Sequence, residues 1–175
     1  MAALQAGAMG LPFMPVRGVI GTDYTRVRPD FKTITNPYGE DDILVVPAVS
    51  PDVSLIHAFK ADVYGNCIVN SSIDDALLAR ASKKVIISAE EIVGTEELKS
   101  SQRGNFVSRV HVDAVVRLPG GAYPTACGSL YRTDSKKLGA YIAAAKDAES
   151  FSRYVREFCL QVRNGGEPHD TKIYH

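Results

Sequence analysis

The chain has 175 residues, 45% of them hydrophobic and 23% charged, a length and composition that suit one globular domain with its own core. Its 20 basic and 20 acidic side chains cancel, which excludes a general attraction to nucleic acid or anionic membrane, and no apolar run reaches the length of a membrane-crossing helix.

The N-terminus carries no positive charge ahead of its apolar part, which argues against a signal peptide. Cys67, Cys127 and Cys159 are an odd number without short spacing. They read as reduced thiols of a cytoplasmic protein, and small buried hydrophobe is the commoner role for each. Ala2 to Met9 is Ala-rich and predicts a helix, with Gly10 as its stop. An α/β chain rarely begins on an uncapped helix, so a further element is expected upstream. Pro12 and Pro15 push their preceding residues to extended geometry, so Leu11 to Val16 predicts an extended apolar segment.

Arg17 to Asp30 predicts a loop. It holds Gly18 and Gly21, the hydroxyls of Thr22, Tyr24 and Thr25, and Arg17, Arg26 and Arg28. Glycines let backbone approach a ligand, and guanidinium forks match carboxylate or phosphate. A solvated surface loop fits the same residues. Phe31 to Thr35 alternates like a short strand, Asn36 to Gly39 is a turn, and Glu40 to Asp42 is a solvated acidic corner.

Ile43 to Val93 is the stretch that organises the chain. It contains three short β-branched runs, bounded by Pro, Asp or Gly, of the kind found in strands buried on both faces. Tyr64 to Asn66 predicts a tight hairpin turn. A helix follows over Ala76 to Ala81, with Ser72 as its cap. Strand, turn, strand, helix, strand is an α/β signature. Thr95 is the next N-cap candidate, ahead of Glu96 and Glu97. Val110 to Leu118 predicts a strand, and Pro119 to Gly128 a second small-residue loop at its end. Two helices close the chain, Lys136 to Lys146 and Ala148 to Val162. The second aligns Phe151, Tyr154, Val155, Phe158 and Cys159 on a face for core or intersubunit contact. Asn164 to Gly166 ends it, and the remainder to His175 reads as a tail. One domain over 1–163 and a tail over 164–175 is the expected organisation.

Few residues stand at spacings that carry chemistry. His57, His111, His169 and His175 are not at ligand spacing with each other or with the cysteines, so no metal is expected. His57, within an apolar strand, reads as a satisfied core histidine. There is no nucleophile elbow and no dinucleotide fingerprint. Glu90 and Glu91 follow a buried strand, where α/β sites often sit. They fit a catalytic acid, and equally a turn cap or a pair with Arg80 or Lys83.

Six segments, in order, resemble the A (alpha) subunits of family I CoA-transferases of the glutaconate CoA-transferase type. They are AGAMGLPFMPV (residues 6–16), TNPY (35–38), VVPAV with DVSLIHA (45–49 and 52–58), ADVYGN (61–66), SAEEIV (88–93), and VDAVV with PGGAYP (112–116 and 119–124). The resemblance implies an open three-layer α/β sheet with flanking helices, of the NagB/RpiA/CoA-transferase type. It covers the C-terminal half of such a subunit, the other half lying upstream. The activity implied is transfer of CoA between an acyl-CoA thioester and a carboxylic acid, in a cytoplasmic hetero-oligomer without a tightly bound cofactor. The nucleophilic glutamate belongs to a partner B (beta) subunit, in a Glu-Asn-Gly setting that this sequence lacks, so Glu90 and Glu91 do not inherit it. Arg17, Gly18, Gly21 and Thr22 are implied at the substrate's acyl end, and Gly120, Gly121 and Tyr123 at its rim. Relatives that hydrolyse a ring carbon–carbon bond in a steroid-derived CoA thioester resemble the same alpha type, and a non-catalytic binding half is the third reading.

Overall fold

The computed structural model describes residues 1–101, 104–160 and 173–174. It is a mixed α/β structure of two sheets with flanking helices. The chain opens on helix α1 (Ala2–Ala8), whose Ala6 is fully buried. Strand β1 (Phe13–Val16) follows, then a short helix α2 (Tyr24–Val27) inside the segment expected to be all loop. Strands β2 (Lys32–Thr35) and β3 (Asp42–Pro47) complete an antiparallel sheet in the order β1-β3-β2.

The larger sheet is built from β4 (Ser54–Ala61), β5 (Cys67–Val69), β6 (Val85–Ile92), β7 (Asn105–Val107), β8 (Ala114–Arg117) and β9 (Ile173–Tyr174), in the order β7-β5-β4-β6-β8-β9. Its centre is parallel, β4 with β6 and β6 with β8, as crossover connections require. Helix α3 (Asp75–Ala81) makes the first crossover. Helix α4 (Thr95–Lys99), β7 and a 3₁₀ turn over Arg109–His111 fill the second. Helices α5 (Ser135–Ala144) and α6 (Ala148–Tyr154) follow β8, and α6 runs into a π-helical turn over Val155–Leu160. Tyr154 joins the two helices through Tyr141 at 5.9 Å and stacks on Phe158 at 5.3 Å. Of the expected tail, Ile173 and Tyr174 pair with β8; the rest lies outside the described residues, as do the Cys159 side chain, His169 and His175.

Several expectations are corrected. The run from Ile43 does not join the layer formed by the next two, because β3 pairs with β1 and β2. Strand β4 is buried on one face and only partly covered on the other. Ile56 and Ala58 enter the core with Ile87, Ala89 and Val115 under α3, while Leu55 on the other face is 76% exposed. The sequence hides this alternation because both faces of β4 carry apolar residues. The N-cap position of the helix after β5 is Asp74, not Ser72, and its side chain makes no capping bond. Ser72 is held in a turn instead, its N–H donating to Asn70 Oδ1 at 2.9 Å, which fits the turn preference of Asn.

The predicted hairpin turn is present, with Gly65 at φ +102°. Its anchor is Asp62, which is buried. The carboxylate accepts the N–H of Tyr64 at 2.9 Å, the N–H of Asn66 at 3.0 Å, Asn66 Nδ2 at 2.7 Å and Thr95 Oγ1 at 2.8 Å. Thr95 therefore serves the hairpin, and Gly94 takes the N-cap position of α4. Asp62→Ala strands several buried donors, and we expect it to lower unfolding stability by about 3 kcal/mol in denaturant titration.

Candidate active site at the ends of the parallel strands

The β4–β6 register places His57 opposite Ser88. Neighbours in register point the same way, and side chains two apart share a face. His57, Ser88 and Glu90 therefore converge. His57 Nδ1 lies 2.8 Å from Ser88 Oγ, and His57 Nε2 lies 2.7 Å from Glu90 Oε1.

Strand β8 brings the third part. Its ladder with β6 runs on past Arg117, with Leu118 N–H donating to the Ala89 carbonyl at 2.8 Å. The chain then turns at Gly120, φ +72°. Gly120 N–H donates to Glu90 Oε2 at 2.8 Å. Further along this loop the Tyr131 hydroxyl donates to Glu90 Oε1 at 2.5 Å and accepts the Ala122 N–H at 3.0 Å. Both oxygens of Glu90 are thus occupied, and the residue is 9% exposed.

Burial pushes the Glu90 carboxyl up, but the Tyr131 hydroxyl, the Gly120 amide and His57 together hold it below its usual range. Burial and the adjacent Glu90 push the Tyr131 phenol up. Burial also raises the Cys127 thiol, reinforced by the Glu90 charge. Cys127 stands beside the pair: its sulfur, a His57 ring nitrogen and a Glu90 oxygen all lie within 4.8 Å of one another. This is a donor set of metal-ligand type that sequence spacing does not show. His57 and Glu90 are engaged by hydrogen bonds to each other and to Ser88, Gly120 and Tyr131.

The seven residues expected at the site fall into two groups. Gly120, Gly121 and Tyr123 lie on the loop over Glu90. Their amides are committed: Gly121 donates to the Leu118 carbonyl at 3.1 Å and Tyr123 to the Gly120 carbonyl at 3.0 Å. The Tyr123 hydroxyl donates to Asp134 Oδ2 at 2.7 Å. A Cβ on Gly121 would sit 2.7 Å from His57 Cε1, so the loop already touches the imidazole. Arg17, Gly18, Gly21 and Thr22 lie elsewhere, after β1 of the smaller sheet. Gly18 and Gly21 have φ of +94° and +78°, and Val19 between them has +56°, a conformation that strains a β-branched residue. Thr22 Oγ1 donates to the Val19 carbonyl at 2.6 Å. Among the described residues, the Gly18 and Gly21 amides donate to no protein acceptor. Arg17 is exposed, 3.6 Å from Asp41.

The partners that sequence reading offers Glu90 and Glu91 are engaged elsewhere. Lys83 pairs with Asp52 at 2.7 Å, and Arg80 Nε returns to the Ala76 carbonyl at 3.2 Å. Glu91 faces Lys60 at 3.5 Å. Cys127 and Tyr131 do not stand out in the sequence as site residues, since loop positions carry no periodic signal. The two-residue step from Ser88 to Glu90 is the clue that the sequence does contain.

The profile of the coenzyme A transferase family matches residues 1–118. The chain belongs to that family. The A subunit of glutaconate CoA-transferase from Acidaminococcus fermentans is 34% identical over an alignment of 180 positions that covers 93% of this chain and 56% of that protein. The crystal structure of glutaconate coenzyme A-transferase from that organism superposes with a TM-score of 0.82 at 32% identity, over 91% of this chain and 56% of the other. The cholesterol ring-cleaving hydrolase IpdA subunit of Rhodococcus jostii is 34% identical over 166 residues, 89% of this chain and 56% of its own. A variant of the decarboxylase AibA/AibB superposes with a TM-score of 0.76 at 32% identity, over 91% and 58% of the two chains. The chain spans about half the length of the curated relatives it matches.

The depressed Glu90 carboxyl has a consequence for acid stability. A carboxylate held below its ordinary value of 4.5 contributes its full stabilisation above that value and loses it as pH falls through the lower one. We expect stability to drop as pH falls below the ordinary value of 4.5, and Glu90→Gln to flatten that drop in chemical denaturation at stepped pH.

Proposed function

We propose that this chain is part of the alpha (A-type) half of a CoA-transferase that moves CoA between an acyl-CoA thioester and a carboxylic acid, the nucleophilic glutamate coming from a B subunit. The observation that carries the reading is the likeness to the A subunit of glutaconate CoA-transferase, which is continuous over 93% of the chain and extends to the fold. In the proposed reaction the partner's carboxylate attacks the thioester carbonyl and CoA leaves as thiolate. The thiolate then attacks the glutamyl carbonyl of the resulting anhydride, freeing the first acid. The second acid attacks the glutamyl-CoA thioester and displaces CoA thiolate, and the thiolate attacks the acyl carbonyl of this second anhydride, forming the new acyl-CoA and freeing the glutamate. Two simple acyl exchanges replace one difficult one, without loss of the thioester.

The Arg17–Thr22 loop fits the part of an oxyanion and carboxylate holder. Its Gly18 and Gly21 amides are uncommitted among the described residues. Fixed N–H donors act most strongly where charge develops in the transition state. The loop borders an open groove of about 500 Å³ lined by Phe13, Pro15, Arg17, Ile34, Tyr38 and Ile43. That exposed apolar face suits contact with a B subunit. The Glu90 carboxylate does not suit the nucleophile's part, because both of its oxygens are already bonded.

Ring-opening hydrolysis is the second reading, favoured by the equal 34% identity to the IpdA protein. Co-expression with the cognate B subunit separates the two. Transfer of CoA from acyl-CoA to acetate marks the transferase; consumption of a cyclic-ketone CoA thioester without acceptor marks the hydrolase. For the transferase we expect Arg17→Ala to lower kcat/KM about ten-fold, equivalent to ~1.4 kcal/mol of transition-state stabilisation. The melting midpoint should stay put, since the exposed pair with Asp41 contributes little.

A further inference from the structure

We infer that Glu90 is a positioning residue that sets the height of the Gly120–Tyr131 loop, and that this loop forms one wall of the acyl-CoA site. The inference rests on the reading of the chain as part of an acyl-CoA enzyme. Its first support is the cost of the arrangement. A carboxylate taken out of water is expensive, and an apolar side chain at such a place often serves stability as well. Here the charge holds three donors from different places together. They are His57 on β4, Gly120 just past β8, and Tyr131 at the far end of the loop. One side chain on β6 therefore ties the loop to the two adjacent parallel strands.

The second support is contact. The loop presses so closely on His57 that Gly121 has no room for a Cβ. A shift of the His57–Glu90 pair is thus transmitted to the loop by direct contact as well as by hydrogen bonds. The third support is location. A cavity of about 230 Å³ opens beside this cluster, lined by His57, Phe59, Asn70, Asp75, Thr125 and Cys127. It lies against the face of the larger sheet along Leu55 to Phe59 of β4, roofed by the glycine loop, and concave sites of this kind are where small molecules bind. Because the amides of Gly120, Gly121, Ala122 and Tyr123 are all committed, the loop contributes shape and not oxyanion donors. Loss of its anchor then weakens substrate placement more than it removes a chemical group.

Asp62 supplies the contrast. It is as buried as Glu90 and more heavily bonded, but it fastens a hairpin to Thr95 and no part of the glycine loop. The test compares the two carboxylates in the complex with the B subunit. Hydrogen exchange over residues 119–131 is followed with and without acetyl-CoA, alongside steady-state CoA transfer to a carboxylic acid and thermal melting.

In the wild-type complex acetyl-CoA should slow exchange in the loop. Glu90→Ala should abolish that protection and raise KM for acyl-CoA about ten-fold, the size expected for losing one or two buried hydrogen bonds. Glu90→Gln should recover part of the loss, and Tyr131→Phe should act in the same direction if Glu90→Ala does not fold. Asp62→Asn should lower the melting midpoint and leave KM and kcat unchanged in the folded complex. Absence of acetyl-CoA protection in the wild type overturns the inference. So do KM values within two-fold of wild type in both Glu90→Gln and Tyr131→Phe. Loop protection without CoA transfer supports the inference while defeating the transferase reading.

Discussion

A charge held out of water is the constraint on which the rest of the site depends. Glu90 lies within a parallel strand, beneath the loop that follows the next strand. Isolated there, a carboxylate would take up a proton or draw in water. It stays ionised because a phenol, a backbone amide and an imidazole converge on it. Those donors come from segments far apart in sequence, so satisfying one carboxylate settles the mutual placement of β4, β6 and the glycine loop. Networks of this kind are worth most when every member is paired, and among the described residues no buried side-chain polar atom lacks a partner.

Two buried acids divide the work of the larger sheet. Asp62 stabilises a local hairpin and draws Thr95 onto it, which is fold maintenance. Glu90 joins three separate segments at a cavity mouth. The difference lies in the sequence distance of their partners. An acid bonded mostly to residues two and four positions away organises its own turn. One bonded across tens of residues organises tertiary structure.

Much of this is legible in the sequence for physical reasons. The hairpin at Gly65, the helix before Gly10 and the parallel strands are visible because turn chemistry and β-branching are local properties. The place of β3 is not, since an apolar run does not say which sheet it joins, and only pairing with β1 and β2 decides that. Ser72 and Thr95 are both good cap residues by type. Asp62 takes the Thr95 hydroxyl for another bond, a competition that depends on a neighbour brought close by folding, while Ser72 falls in a local turn closed by its own N–H on Asn70. For the site, Glu90 is visible as an acid beside a buried apolar run, although it lies within β6 and not after it. Cys127 and Tyr131 are not, because irregular backbone leaves no period in the sequence and their relation to His57 exists only in three dimensions.

The state of Cys127 bears on the chemistry that a coenzyme A transferase fold accommodates. A thiolate beside a thioester is a competing acceptor: acyl groups pass readily between sulfurs, and a cysteine that captured one would divert it from its destination. Nucleophilicity of this kind belongs to the ionised sulfur. Burial first, and then the standing negative charge of Glu90, raise the Cys127 thiol, so under the proposed function this thiol would not compete for the acyl group.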